Sequence, residues 1–206
     1  MKRLFLALMI VYGCAPSPVM KQKDAAETFQ PILDFMEYKP GMTVADVGAG
    51  SGAITIAMAR VMQGSEIYVQ DIDTSVLTSE KLKKLTDKYP TQNNFHVVIG
   101  TAEKTNLPDA TFDLIYSNAT THNFTAFDSM MKDIGTKLKP GGAVYFRDSF
   151  KGDHGEGEFC SDPKCGRRLL TIDDFLAAME RNGFKLIKRT PDMSGYPVFG
   201  FSVSQL

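Results

Sequence analysis

The sequence predicts an α/β fold: a doubly wound, mostly parallel sheet of seven strands that closes with an antiparallel hairpin. Three observations predict it. Apolar stretches of strand character alternate with stretches of helical period along almost the whole chain, the pattern of a parallel sheet covered on both faces. The first strand runs into a glycine-rich turn, V-A-D-V-G-A-G-S-G over residues 44–52, and an apolar helix follows. The last two strands leave no room for a helix between them, so one must enter antiparallel.

The elements follow in order. Residues 24–38 place Phe29, Ile32, Leu33 and Met36 at helical spacing, with Pro31 expected to start or kink the helix. Pro40 and Gly41 turn the chain into a strand of Thr43, Val44, Ala45 and Val47, and residues 54–61 form the next helix. The second strand, residues 66–70, ends at Asp71. Asp73 or Thr74 is expected to cap a helix running to Lys88, with Val76, Leu77, Leu82 and Leu85 on its buried face. Residues 95–99 and 112–116 are strands, and Phe127, Met130, Met131, Ile134 and Leu138 line a helix after them. Gly142 opens the fifth strand, residues 143–146. Thr171 caps a helix carrying Ile172, Phe175, Leu176 and Met179, and residues 184–188 and 198–203 supply the last two strands.

The body reads as one globular domain. It has 206 residues, 43% of them hydrophobic, and shows no linker or repeat. A net charge of −1 gives no field that would attract nucleic acid or an anionic membrane surface. The N-terminus differs in character: Lys2 and Arg3 precede a short apolar run and Gly13-Cys14, the order of a secretory signal. The run is too short to span a bilayer. V-Y-G-C, residues 11–14, looks like a bacterial lipobox, with Tyr12 bulkier than usual. The expected organisation is a signal peptide over 1–13, a tether over 14–23 behind a lipidated Cys14, and the domain over 24–206. This expects export and a lipid anchor on the periplasmic side of a bacterial membrane, or a cytoplasmic protein if the signal is unused. If the chain is exported, Cys160 and Cys165 are expected to form a disulfide; a metal site with His154 fits no standard zinc spacing.

The glycine turn brings backbone N–H groups towards a ligand, and its glycines let the ligand come close. Two cofactors compete for it. Gly48, Gly50 and Ala53 satisfy the dinucleotide pattern G-x-G-x-x-G/A, a weak signal alone. Asp46 with Gly48, Gly50 and Gly52 gives D-x-G-x-G-x-G, which resembles the first motif of the class I S-adenosylmethionine-dependent methyltransferases. Three further segments resemble that family in order: Gly100-Thr101-Ala102-Glu103 with Leu107-Pro108, residues 112–118, and Leu138-Lys139-Pro140-Gly141-Gly142. The resemblance implies a Rossmann-like sheet of seven strands and S-adenosylmethionine as cofactor. It implies that Asp46 orients the methionine amino group and that Gly48, Ala49, Gly50 and Gly52 form the cradle. Asp71, about twenty residues beyond the turn, suits the ribose hydroxyls, and Ile72 then covers the adenine. Thr101 stands where the family often has an adenine-binding aspartate, flanked by Ala102 and Glu103; Ser117 lies at the end of the fourth motif.

Methyl transfer from a sulfonium needs in-line placement, and a base only where the nucleophile must lose a proton. Asn118, His122 and Asp148 are the candidates at the ends of the fourth and fifth strands, and Arg147 is expected on the opposite face from Asp148. Asn118 sits where amine-directed relatives carry N-P-P-Y, but Ala119, Thr120 and Thr121 follow it here. The polar loop of residues 149–168 suggests a small polar acceptor, or only a solvated loop. The function expected is therefore methyl transfer to a small molecule. An exported binding protein without catalysis and an NAD-dependent oxidoreductase are the alternatives.

Overall fold

The computed structural model describes residues 22–150, 170–190 and 196–203. The expected signal peptide, Cys14, and the Cys160–Cys165 pair with His154 lie outside the described residues. Strands β1 (Thr43–Val47), β2 (Glu66–Asp71), β3 (Asn94–Ile99), β4 (Phe112–Asn118), β5 (Leu138–Arg147), β6 (Phe184–Thr190) and β7 (Val198–Val203) form one sheet of order β3-β2-β1-β4-β5-β7-β6. β1 to β5 pair in parallel, and β7 runs antiparallel to both β5 and β6. The doubly wound sheet with its antiparallel end is as expected. Strand order reverses between β1 and β4, and the carboxyl ends on either side of that point make the crevice where such sheets bind ligands.

Helices α1 (Gln22–Phe35), α2 (Ala53–Ala59) and α3 (Ser79–Lys88) belong to one core, with Phe29, Ile32, Met36, Ile56 and Leu82 against Val44, Ile67, Val69, Leu114 and Tyr116. Helices α4 (Phe127–Lys137) and α5 (Ile172–Arg181) belong to the other, where Met130, Met131, Ile134 and Met179 meet Ile115, Val144, Phe146 and Phe201. Phe175 is fully buried amid aromatic rings, its centroid 5.0 Å from Phe150, 5.6 Å from Phe199 and 5.7 Å from Phe146.

Several local expectations change. Leu138, expected on the helix, opens β5, which also takes in Gly142. α1 begins at Gln22, inside the segment expected as tether, and Pro31 lies within the helix rather than at its start. The stripe of Phe29, Ile32, Leu33 and Met36, each at most 5% exposed, holds that turn in the core. The cap of α3 is Thr78, whose hydroxyl accepts from Lys81 N at 3.2 Å, not Asp73 or Thr74. Asp73 instead accepts from Ser75 N at 2.7 Å, and that local turn delays the helix.

Candidate active site at the carboxyl edge of the sheet

The glycine turn is stitched to the end of β2. Gly48 N and Ala49 N both donate to the Gln70 carbonyl at 2.9 Å, and Gly50 N donates to Asp71 Oδ2 at 2.7 Å. These three N–H groups therefore shape the turn rather than point at a ligand, which corrects the simplest expectation for them. α2 is also a helix of only 7 residues, shorter than expected. Gly48, Gly50 and Gly52 all have positive φ, at 77°, 55° and 77°. A Cβ on Gly48 would lie 2.1 Å from Thr120 Cγ2, and one on Gly52 would lie 2.8 Å from Leu82 Cδ1. At Gly50 nothing lies within 4 Å of that point. The turn is thus packed on both flanks and open at its tip.

Asp71 follows at the end of β2. Its Oδ2 holds Gly50 N and its Oδ1 accepts from Asp73 N at 2.9 Å. A carboxylate offers about four lone-pair positions, so two remain. Ile72 beside it is 55% exposed, a large apolar side chain at the rim of the crevice. Thr101 departs from expectation. Its hydroxyl oxygen accepts from Glu103 N at 3.2 Å and Lys104 N at 3.1 Å, so its lone pairs close its own turn and none is left for an adenine amino group. Ala102 and Glu103 are exposed on that loop. Ser117 is 1% exposed and its hydroxyl is enclosed without a partner among the described residues, so it is not presented at the crevice surface.

Asp46 is 2% exposed and accepts from Thr55 Oγ1 at 2.6 Å. Burial pushes its carboxyl up to about 6, against the Thr55 hydrogen bond and with the charge of Asp71 adding to the rise. A buried acid poised near neutrality beside the crevice suits a cationic ligand group.

At the other end of the crevice the three catalytic candidates fall into two clusters. Asp148 is 1% exposed and gathers donors: Thr121 Oγ1, His122 Nδ1 at 2.8 Å, Ser149 N at 2.8 Å and His122 N at 3.4 Å. His122 sits in a single 3-10 turn, Thr121–Asn123, and Asn123 Nδ2 lies 3.2 Å from its Nε2. Asn118 belongs to a separate cluster, its Oδ1 accepting from Arg147 Nη1 at 2.7 Å and from Tyr116 OH at 3.1 Å. Arg147 also stacks on Tyr196, 4.7 Å from the ring centre. Arg147 and Asp148 thus join different clusters, as strand alternation requires. A small cavity of about 10 Å³ lies beside the imidazole, lined by Thr121, His122, Ser149, Phe150, Leu170 and Phe175.

Sequence reasoning missed two residues that build the site. Gln70 holds the turn through its carbonyl and, at 3.3 Å, through Oε1; its buried Nε2 has no partner among the described residues. Thr120, two residues beyond β4, clasps the turn, donating to the Gly48 carbonyl at 2.9 Å. Neither belongs to a motif, so only the fold reveals them. Among the described residues no group of three or more His, Cys, Asp or Glu side chains could hold a metal, and no helix is long and apolar enough to cross a membrane.

A family model described as a methyltransferase domain matches residues 45–146. The ubiquinone/menaquinone biosynthesis C-methyltransferase UbiE of Vibrio vulnificus is 32% identical over 113 residues, covering 54% of this chain and 43% of that protein. The protein of the same name from Laribacter hongkongensis is 33% identical over 107 residues, covering 52% and 42%. The chain thus spans less than half the length of these relatives. Among solved structures, an Aquifex aeolicus SAM-dependent methyltransferase superposes with a TM-score of 0.69 at 20% identity, over 88% of this chain and 97% of the other. A Haloferax volcanii putative methyltransferase, solved with the Trm112 activator, gives 0.72 at 15% identity, over 89% and 92%. At these identities the superpositions speak to the fold.

Proposed function

We propose that this chain, which belongs to the class I S-adenosylmethionine-dependent methyltransferases, transfers the methyl group of its cofactor to a small-molecule acceptor. The family brings the cofactor with it, and the dinucleotide reading of Gly48, Gly50 and Ala53 falls. The residues fit that cofactor. Gly50 leaves open space where any side chain would stand, Asp71 keeps acceptor positions for ribose hydroxyls, and Ile72 exposes an apolar flank for a base. When bound, S-adenosylmethionine supplies the methyl on a sulfonium, and its ammonium and sulfonium are cations for which the buried Asp46 is a counter-charge. The observation that carries the reading is the turn itself, packed at Gly48 and Gly52 and empty at Gly50. Saturable binding of S-adenosylhomocysteine, with none of NAD, is the expected result of calorimetric titration. Binding of NAD alone would reject it. The relatives named as C-methyltransferases raise carbon as the acceptor atom, which product analysis decides.

The state of Asp46 sets a pH dependence. Its carboxyl titrates at about 6, above the ordinary 3.8, and a bound cation favours the ionised form. Cofactor affinity is therefore expected to rise with pH up to about 6 and to level off above it. Below that point it should fall by up to about tenfold per pH unit, the limit for one linked proton. Titrations at several pH values between 5 and 7.5 check this; equal affinities across the range would remove Asp46 from the cation site.

The N-terminal residues motivate a separate proposal, that the chain is exported and lipidated at Cys14. Labelled palmitate is expected in the full chain and absent from Cys14→Ser. An unlabelled wild type in the cytosolic fraction would reject it.

A further inference from the structure

We infer that the acceptor carries a carboxylate, anchored by Arg147 and Asn118 where β4 and β5 end at the crevice. This rests on the methyltransferase reading above and deepens it by naming the substrate class. Asn118 and Arg147 are the last register pair of those two strands. Beyond them β4 stops. Ala119 turns at φ 51°, a conformation that costs a non-glycine residue energy, while its N–H still donates to the Arg147 carbonyl at 2.7 Å. The two side chains therefore close one row of the sheet at its carboxyl edge, on the same face as the Tyr116 and Tyr145 pair below them.

The partners of Asn118 fix which way its amide faces. A guanidinium can only donate, so the atom of Asn118 that meets Arg147 Nη1 at 2.7 Å is its oxygen. Tyr116 OH donates to the same atom at 3.1 Å, and burial pushes the pKa of that hydroxyl up, so it stays a donor. Both lone pairs of Oδ1 are taken. What the amide can offer a ligand is N–H.

Arg147 adds the charge. A guanidinium does not lose its proton in a protein, so it stays positive whatever else it bonds. It stacks on Tyr196, 4.7 Å from the ring centre, and both side chains are half-buried. The ring keeps water off one side of the charge, which strengthens its pull on an anion. Asp148, the next residue, turns its own charge away: its side chain lies on the other face of the sheet and is held by Thr121, His122 and Ser149 N. Donors around one fixed positive charge repel an ammonium group. They match a group that only accepts and carries a single negative charge, which is a carboxylate.

The cofactor has a carboxylate of its own, on its methionine end. That end belongs to the glycine turn and Asp46, on β1. β4 lies between β1 and β5, which puts β5 two strand spacings, about 10 Å, away from that strand. The carboxylate at Arg147 is therefore the acceptor's.

The full-length protein, saturated with S-adenosylhomocysteine, is titrated with benzoate, benzamide and inorganic phosphate. Binding is followed through the side-chain NMR signals of Arg147 Nε and Asn118 Nδ2. Benzoate is expected to bind and to shift both signals, and benzamide, the same ring without the charge, to bind at least about tenfold more weakly. Arg147→Met should weaken benzoate by about tenfold or more and leave the affinity for S-adenosylhomocysteine unchanged. Arg147→Lys keeps the charge without the planar fork and should fall between. Asn118→Asp sets a carboxylate of the protein in the same place and should abolish benzoate binding. No binding of benzoate, equal binding of benzamide, tighter binding of phosphate, or benzoate binding unmoved by Arg147→Met and Asn118→Asp would overturn the inference. So would an Arg147→Met protein that loses affinity for S-adenosylhomocysteine but keeps it for 5′-methylthioadenosine, which lacks the carboxylate, because Arg147 would then hold the cofactor. A wild type that binds no S-adenosylhomocysteine would overturn the underlying reading instead.

Discussion

Gly50→Val is expected to abolish binding of S-adenosylhomocysteine while leaving the domain folded. Gly50 has φ 55°, and a Cβ built there meets nothing within 4 Å, so the protein itself has space for the side chain. The strain of a left-handed residue costs about 1–2 kcal/mol, which a core this continuous can absorb. The space that valine fills is the space a ligand needs at the tip of the turn. Gly48→Ala makes the opposite case. There a methyl would lie 2.1 Å from Thr120 Cγ2, and yielding would break the bond from Thr120 Oγ1 to the Gly48 carbonyl. Overpacking of that kind costs about 1–3 kcal/mol, so Gly48→Ala should lower the melting temperature visibly. Circular dichroism melts and calorimetry on both variants separate the two effects. Normal binding by a folded Gly50→Val protein would mean that no ligand lies at the turn.

Most of the fold was legible because it is written in periodicity, and periodicity survives local error. The sheet with its antiparallel end follows from strand spacing alone, and β7 was read at its observed limits. What failed was local competition between hydrogen bonds. Asp73 looks like a helix cap, yet its side chain closes on Ser75 first and the cap passes to Thr78. Thr101 looks like a ligand contact, yet two neighbouring N–H groups use up its oxygen. Partnerships across the sheet were not legible either. His122 and Asp148 could each be named as candidates, but they stand 26 residues apart and only β4 lying beside β5 joins them. Gln70 and Thr120 carry no motif at all; their importance comes from what they touch on the turn.

Asp71→Ala is expected to weaken cofactor binding by about 1.5–3 kcal/mol, the range for hydrogen bonds to a charged group, or roughly tenfold to 150-fold in Kd. Two losses combine. The ribose hydroxyls lose their acceptor, and Gly50 N loses the carboxylate that holds it at 2.7 Å, so the tip of the turn is released as well. Asp71 also accepts from Asp73 N, which ties the segment leading into α3 to the same side chain. Asp71→Asn distinguishes these roles. It keeps one oxygen for Gly50 N or for ribose but not the charge or the second acceptor, so its affinity should fall between those of the wild type and Asp71→Ala. Combining Asp71→Ala with Gly50→Ala should cost less than the sum of the two, because both act on one turn. Calorimetry with S-adenosylhomocysteine on the wild type and the four variants reads this out. Unchanged affinity in Asp71→Ala would leave its carboxylate as a fastener of the turn alone and move the ribose site elsewhere along the crevice.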